Sequence, residues 1–287
     1  MSDDKLVKRG ELILLIGQKE DPEEELKAMN QGKVGRPFTY IHSLIWTLAV
    51  LRVCLKLPYR QLAGFTRRFS RLLGGKLTID PSTVYRRIKK LVEERKLPGL
   101  RLRPGGVVTV AVDSTGLKVG NYGEWMRHKW KRRRGFLKLH LVVDVETRKI
   151  LGFKATSEEV PDARAFPELL YQAQSKAEVE AALGDGAYDT RDCFNQCSKR
   201  GVKPLFRVRK NASTRSRGSP SRAEVVREVK RKGYKAWARE VGFGRRWAVE
   251  TAIGSFKAMF GEYVAARTLE AAQWEVGLKV AVYNQLC

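Results

Sequence analysis

Histidine and cysteine are scarce in this chain. Three histidines (His42, His128, His140) and four cysteines (Cys54, Cys193, Cys197, Cys287) are scattered over 287 residues. That spacing excludes a disulfide framework, which needs dense, paired cysteines. Cys193 and Cys197 lie one helical turn apart, yet a zinc shell needs two further ligands. They read as buried or idle thiols of a reducing cytoplasm. A long apolar run is also missing. The longest spans Leu44 to Leu51 and is bounded by His42 and Arg52, well short of the ~20 residues a membrane span requires. The amino terminus, MSDDKLVKRGELILLIG, begins acidic and lacks a small-residue cleavage site, so no signal peptide is read. Acidic side chains are the third shortage: 31 Asp and Glu face 56 Lys and Arg, a net charge of +25. An excess of that size favours a polyanionic partner, nucleic acid before an anionic membrane.

What is present is enough to fold. Hydrophobic residues make up 43% of the chain, which supports a sizeable core and excludes wholesale disorder. Residues 1–37 read as a leader with an acidic helix near Pro22 to Met29, closed by the turn GKVGRP. Residues 38–97 read as an all-helical unit. Tyr40 to Lys56 is apolar nearly all round, as a central helix would be. Tyr59 to Leu73 follows, with Leu62, Phe65, Phe69, Leu72 and Leu73 expected inward. Asp80-Pro81 then supplies an N-cap and a proline at the first helical position. In that third helix Val84, Ile88 and Leu91 face the core. Arg86, Arg87, Lys89 and Lys90 are left for solvent or DNA. The pattern is helix-turn-helix-like, and equally that of an ordinary three-helix bundle with a cationic surface.

PGLRLRPGG at 98–106 is a linker by composition. Beyond it, strands and helices alternate over 107–287. Val107 to Val112 is a nearly continuous apolar run, the mark of a strand buried on both faces. Lys138 to Val145 and Lys149 to Thr156 read as a hairpin. Helices follow at Arg164 to Ala177 and Thr190 to Arg200. Val179 to Gly184 reads as a helix tail or a short strand, and Lys203 to Val208 as a short strand. A basic polar insertion occupies about 209–242, its ASTRSRGSPSR stretch expected to be mobile. Helices are expected from Ala223 towards Glu240, from Phe243 to Phe260 and from Leu269 onward.

Within this basic chain three acids stand out: Asp113 in VTVAVDSTG, Asp185 in AALGDGAYD and Glu250 in RRWAVETAIGSFK. Each is expected at a strand end or on a helix face. Carboxylates gathered in a cationic protein repel one another and any phosphate, and a bound divalent metal removes that conflict. The order of elements describes an RNase H-like mixed α/β sheet flanked by helices. On the last of these helices Phe243, Arg246, Gly254 and Lys257 stand at −7, −4, +4 and +7 from Glu250, one stripe at 3.6 residues per turn. Val249, Ala252, Phe256 and Met259 occupy the opposite side. A carboxylate between two cations suits a metal ligand beside a phosphate; a row of surface salt bridges worth ~0.2–0.5 kcal/mol per pair is the plainer account.

The ordered set GRPFTY, VYRRIKKL, VDSTG, KLHLVVDVETRKILGF, GDGAYD and RWAVETAIGSFK resembles the DDE transposases of bacterial and archaeal insertion sequences, in particular the insertion-sequence-five group. The resemblance covers most of the chain. It implies that Asp113, Asp185 and Glu250 bind two Mg²⁺ ions, with Mn²⁺ as a substitute. It implies cleavage of transposon ends and joining of their 3′-hydroxyls to target DNA. The family's Tyr-x2-Arg-x3-Glu-x6-Lys signature falls on Phe243, Arg246, Glu250 and Lys257, phenylalanine replacing tyrosine. Arg246 and Lys257 would then hold phosphate, with Phe243 stacking on a base or sugar. A homodimer that synapses both ends of double-stranded DNA, in the cytoplasm on the nucleoid, follows from the same likeness. RHKWKRRR at 127–134 offers Trp130, Arg132 and Arg133 as a grip on the transposon end, or a solvated basic loop. Asp189 reads as the cap of the helix starting near Thr190. Two rivals stay open: an RNase H-like endonuclease that only hydrolyses, and a transposase-derived DNA-binding regulator without catalysis.

Overall fold

The computed structural model describes residues 21–72, 74–94, 106–120, 136–266 and 268–286. The chain divides into two compact units, one running to Gly99 and the other starting at Leu100. None of the helices among the described residues is long and apolar enough to cross a membrane.

Among the described residues the first unit holds four helices. α1 (Pro22–Asn30) is capped by Asp21, whose carboxylate accepts from the Glu23 amide at 2.9 Å. Its Glu25 accepts from the Ser43 amide at 3.0 Å, tying it to the start of α2 (His42–Cys54). α2 buries Ile45, Trp46, Leu48, Ala49, Val50 and Val53, the nearly all-round burial that its apolar sequence implies. α3 (Tyr59–Leu72) differs from expectation. Its buried stripe is Leu62, Ala63 and Thr66, while Phe65, Phe69 and Leu72 are 39%, 50% and 67% exposed. Phe65 and Phe69 instead stack on each other, ring centroids 5.6 Å apart. Leu73 lies outside the described residues. α4 (Pro81–Glu93) is capped by Asp80, which accepts from the Ser82 amide at 2.8 Å. It buries Val84, Ile88, Leu91 and Val92.

The second unit is built on a mixed sheet ordered β3-β2-β1-β4-β5. β1 (Val107–Val119), β2 (Phe136–Asp144) and β3 (Ile150–Ser157) form an antiparallel meander. At the β2–β3 turn Asp144 accepts from the Glu146 amide at 3.1 Å, and Arg148 adopts a φ of +59°. α5 (Asp162–Gln174) crosses over to β4 (Glu178–Gly184), which runs parallel to β1. α6 (Arg191–Lys199) leads to β5 (Lys203–Phe206), parallel to β4. The stretch read as helix tail or strand is therefore a strand.

In the 209–242 region the helix expected from Ala223 towards Glu240 is present as two, α7 (Pro220–Lys232) and α8 (Tyr234–Glu240). A 3₁₀ turn, Phe243–Arg246, then leads into α9 (Trp247–Phe260). β6 (Tyr263–Val264) adds to the far end of β1, and α10 (Leu269–Leu286) closes the described chain.

Alternation along the strands sorts the two faces. Val110, Val112 and Val142 pack with Phe166 and Leu169 of α5 and Phe194 of α6. Phe206 sits among these rings, edge-on to Phe166 at 5.3 Å and to Phe194 at 5.2 Å, an arrangement aromatic quadrupoles favour. The opposite face carries α9, which packs on β1 and β2. Asp113, one residue beyond Val112, therefore points to the α9 side. α10 is pinned to the sheet by Asn284, which accepts from the Ile150 amide at 2.8 Å and donates to its carbonyl at 2.9 Å. The architecture is a mixed RNase H-like sheet with helices on both faces.

Candidate active site

Asp113 is not at a strand end, as the sequence reading had it. β1 stays paired to β2 there, with Asp113 opposite Leu141, and continues to Val119. What ends nearby is the pairing with β4, whose last partners are Ala111 and Leu183. β6 joins β1 only at Lys118. Between those points one edge of β1 is open, and Asp113 lies in the gap. The apolar run stops at Val112 because the next side chain is a carboxylate; the backbone pairing does not stop.

Asp185 directly follows β4. Its carboxylate caps the short 3₁₀ turn Gly186–Tyr188, accepting from the Ala187 amide at 2.9 Å. The preceding Gly184 has no room for a side chain: a Cβ would lie 2.9 Å from both the Phe206 and Tyr188 rings. Glycine there lets the aromatic core close directly beneath the turn.

Glu250 stands in the first turn of α9 with its side chain 43% exposed. Arg246 joins the first and third acids. One guanidinium nitrogen contacts Asp113 Oδ2 at 3.2 Å, and the other bonds Glu250 Oε1. Burial pushes the Asp113 carboxyl above its ordinary pKa, and the nearby Asp185 charge adds to the rise; the Ser114 amide and Arg246 oppose it. Asp113 and Glu250, remote in sequence, thus meet around one cation, and Asp185 lies near enough for its charge to act on Asp113.

That rise has a consequence for the metal-free protein. A carboxyl with a raised folded pKa favours the neutral form in the native state. Well below the ordinary carboxyl value, Asp113 is neutral both folded and unfolded. As pH climbs through the raised folded value, ionisation costs native stability. Asp113→Asn should therefore unfold at a higher temperature than the native protein near pH 7. That advantage should shrink as the pH approaches about 4. Thermal scans across that range in the presence of chelator test it, and a difference independent of pH would contradict it.

Among the described residues no three His, Cys, Asp or Glu side chains are gathered tightly enough to cage an ion as they stand. Arg246 takes the place of a cation between two of the acids. The donor set nevertheless fits a hard divalent ion. It consists of carboxylate oxygens, and Asp113 is crowded by burial and by a like charge. Positive charge placed beside Asp113 favours its ionised form, as Arg246 already does. His140 is no competitor as a ligand: it is fully buried, its Nε2 2.9 Å from Thr156 Oγ1, and burial pulls its pKa down to about 4. Cys193 and Cys197 are buried in the core, where burial pushes both thiols up, Cys193 to about 11.

Several expected contacts fall elsewhere. Phe243 is buried, not presented beside Glu250, and packs on Trp237 at 5.7 Å and Tyr234 at 6.2 Å. The reason is local: Phe243–Arg246 is a 3₁₀ turn, whose three residues per turn shift the phase that an α-helix would have carried back to 243. On α9 the buried side is Ala248, Val249, Ala252, Phe256 and Phe260, and Met259 is only half-buried. Lys257 approaches Glu262 at 3.8 Å. Gly254 is exposed, with open space where a Cβ would stand.

Arg87 is a structural residue. It donates to the Tyr40 carbonyl at 3.0 Å and lies over the Phe38 ring at 4.4 Å, and burial lowers its pKa. Arg86 is exposed and reaches Ser82, while Lys89 and Lys90 pair with Glu93 and Glu94 one turn on at 3.5 and 3.6 Å. Such pairs are worth only ~0.3–0.5 kcal/mol and yield readily to a phosphate. Trp130, Arg132 and Arg133 lie outside the described residues.

Two features escaped the sequence reading. Thr190, not Asp189, caps α6, its hydroxyl accepting from the Cys193 amide at 3.2 Å. The Asp189 carboxylate is fully buried and takes a two-pronged contact from Arg222 at 2.7 and 3.1 Å, plus the Arg209 amide at 2.9 Å. A partner 33 residues away leaves no local signal. Trp247, at the first position of α9 beside Arg246, is 64% exposed. An indole in water at that place was legible only as an exception to the helix's apolar pattern.

Comparison with known proteins yields two matching family models, both described as a transposase DDE domain. One matches residues 105–285 and the other residues 7–122. Among solved structures, the BIV integrase catalytic core domain aligns at 14% identity and a TM-score of 0.26, over 56% of this chain and 91% of that one. The piggyBac transposase synaptic complex with hairpin DNA aligns at 11% identity and 0.39, over 96% and 73%. A pre-cleavage Mos1 transpososome aligns at 12% identity and 0.25, over 92% and 100%.

Proposed function

The chain belongs to the transposase DDE-domain family and is a DNA transposase of that class; from that premise we propose how its residues divide the work. Residues 38–97 bind the ends of an insertion sequence, 98–106 link, and 107–287 carry out cleavage and joining. Asp113, Asp185 and Glu250 are the catalytic acids. The observation that supports this most is the single guanidinium of Arg246 bridging Asp113 and Glu250, with the Asp185 charge felt at Asp113.

The family works with divalent metal ions; we assign two Mg²⁺, replaceable by Mn²⁺, to these three acids. When bound, such ions polarise the scissile phosphate and make the attacking hydroxyl more acidic. The chain's own residues do the rest. Asp113, whose pKa burial raises, is favoured in its ionised form by positive charge placed beside it. Arg246, released from the acids, turns its fork to a phosphate, the geometry a guanidinium matches best. Lys257, two turns further along α9, holds a second phosphate. Gly254 between them leaves the backbone open for a DNA strand to lie close. Trp247 offers an aromatic face next to Arg246 on which a base can stack.

Water attacking the scissile phosphorus releases a 3′-hydroxyl and leaves the 5′-phosphate on the other strand end. That 3′-hydroxyl then attacks a target phosphorus, displacing the target's own 3′-oxygen. One phosphodiester is exchanged for another, so joining needs no external energy source and no covalent enzyme intermediate. Joining two ends calls for two such centres, hence a homodimer on double-stranded DNA, in the cytoplasm at the nucleoid.

The test is strand transfer with pre-cleaved ends and a supercoiled target in Mg²⁺. Joined products are expected. Cleavage without joining would reduce the protein to an endonuclease, and DNA binding with neither would make it a regulator.

A further inference from the structure

We propose that the loop over residues 207–217, between β5 and α7, is a second DNA-backbone contact, set beside Asp185 and separate from the helical unit. The proposal rests on the reading of this protein as a DNA-acting enzyme and names a surface which that reading does not include. Arg207, Arg209, Lys210, Arg215 and Arg217 are all exposed. No acid occurs anywhere between Asp192 and Glu224. Among the described residues no ion pair engages any of these five side chains. A solvated surface normally mixes both signs, and like charges this close in sequence repel one another.

The loop is nonetheless held firmly, which an idle solvated run does not require. The Arg207 amide donates to the Gly184 carbonyl at 3.1 Å, and the Arg209 amide to the buried Asp189 carboxylate at 2.9 Å. Val208 and Ala212 are buried in the sheet's core cluster. Asn195 donates to the Gly218 carbonyl at 3.0 Å, fastening the far end. Gly184 and Asp189 flank Asp185, so the first cations of the loop stand next to the catalytic turn. Arg207 lies over the Tyr234 ring at 5.2 Å; the other four cations, on a backbone already held in place, lose less entropy on meeting phosphates than a free loop would. A DNA strand with its scissile phosphate at the acids would run its neighbouring phosphates along this loop.

The measurement is the salt dependence of binding to a 40-base-pair duplex, in chelator so that nothing is cut. The variant is Arg209→Gln, Lys210→Gln, Arg215→Gln and Arg217→Gln together. A charge-matched control changes Arg227, Lys230, Arg231 and Lys235 to glutamine on α7 and α8. Each phosphate contact contributes about 0.9 to the slope of log K against log salt. The loop variant should flatten that slope by about 2 to 4 and weaken binding at least about tenfold at 0.1 M salt. The control should stay close to native. Equal slopes for loop variant and control, or a loop variant matching the native protein, would overturn the proposal. Both variants should melt with the native protein, and the double variant Lys210→Gln, Arg217→Gln should give about half the effect if the quadruple one folds poorly. A native protein that binds but never cuts would refute the enzymatic reading and leave these slopes interpretable.

Discussion

Asp185→Asn should lose Mg²⁺-dependent nicking of the element's own end by about a thousandfold or more. A bound metal contributes several kcal/mol of transition-state charge stabilisation, and each 1.36 kcal/mol is a factor of ten in rate. The substitution is chosen to spare the fold. The Asp185 carboxylate caps the Gly186–Tyr188 turn through the Ala187 amide, and an asparagine carbonyl accepts the same bond, the two residues being about equal as caps. Stability should therefore change by less than about 0.5 kcal/mol. DNA affinity in chelator should hold or rise, because one negative charge has left a surface that meets phosphate. Nicking by the variant at the native rate would remove Asp185 from the chemistry. Loss of nicking together with a large drop in melting temperature would mean that the turn itself had collapsed.

Arg222→Met should destabilise the catalytic unit by about 3–5 kcal/mol, the usual result of leaving one charge of a buried pair without its partner. Asp189 has no exposed side-chain surface, and Arg222 supplies two of its three contacts. For a unit of this size that corresponds to a fall of roughly 6–20 °C in melting temperature. The double variant Asp189→Leu, Arg222→Met removes both charges and should recover much of the loss, since apolar replacement of a whole buried pair is often neutral. The Arg209 amide would then lack its acceptor, so recovery should stop short of native. An Arg222→Met protein as stable as an ordinary surface variant would show that the pair does not hold the loop and turn together.

Much of the architecture was legible in local pattern. The apolar run before Asp113, the Asp80-Pro81 cap and the all-round apolar α2 each carry their signal within a dozen residues. Reading them needs only periodicity and capping chemistry. The strand at Glu178–Gly184 was ambiguous for a definite reason: it is short and apolar, and a buried strand and a helix tail look alike at that length. The extent of β1 was misjudged because side-chain polarity changes at Asp113, while backbone pairing with β2 continues to Lys118.

The site divides in the same way. The three acids and the cations around Glu250 could be picked out along the chain, because a few carboxylates in so basic a sequence call for an explanation. Family resemblance gave them an order. The position of Phe243 could not be read, since a turn of 3₁₀ helix in place of an α-helical one changes its phase relative to Glu250. The pairing of Asp189 with Arg222, the exposure of Phe65 and Phe69, and the bridge by Arg246 lay equally beyond reach.

Residue order alone pointed to the class of fold, a polyanionic partner and three candidate acids, since charge balance and hydrophobic period are properties of neighbours along a chain. Three-dimensional packing settled which cations are engaged in holding the protein together, as Arg87 and Arg222 are, and which stand free as Arg209 and Lys210 do. A charge acquires its role from what lies within a few ångströms, and in a folded chain those neighbours come from anywhere in the sequence.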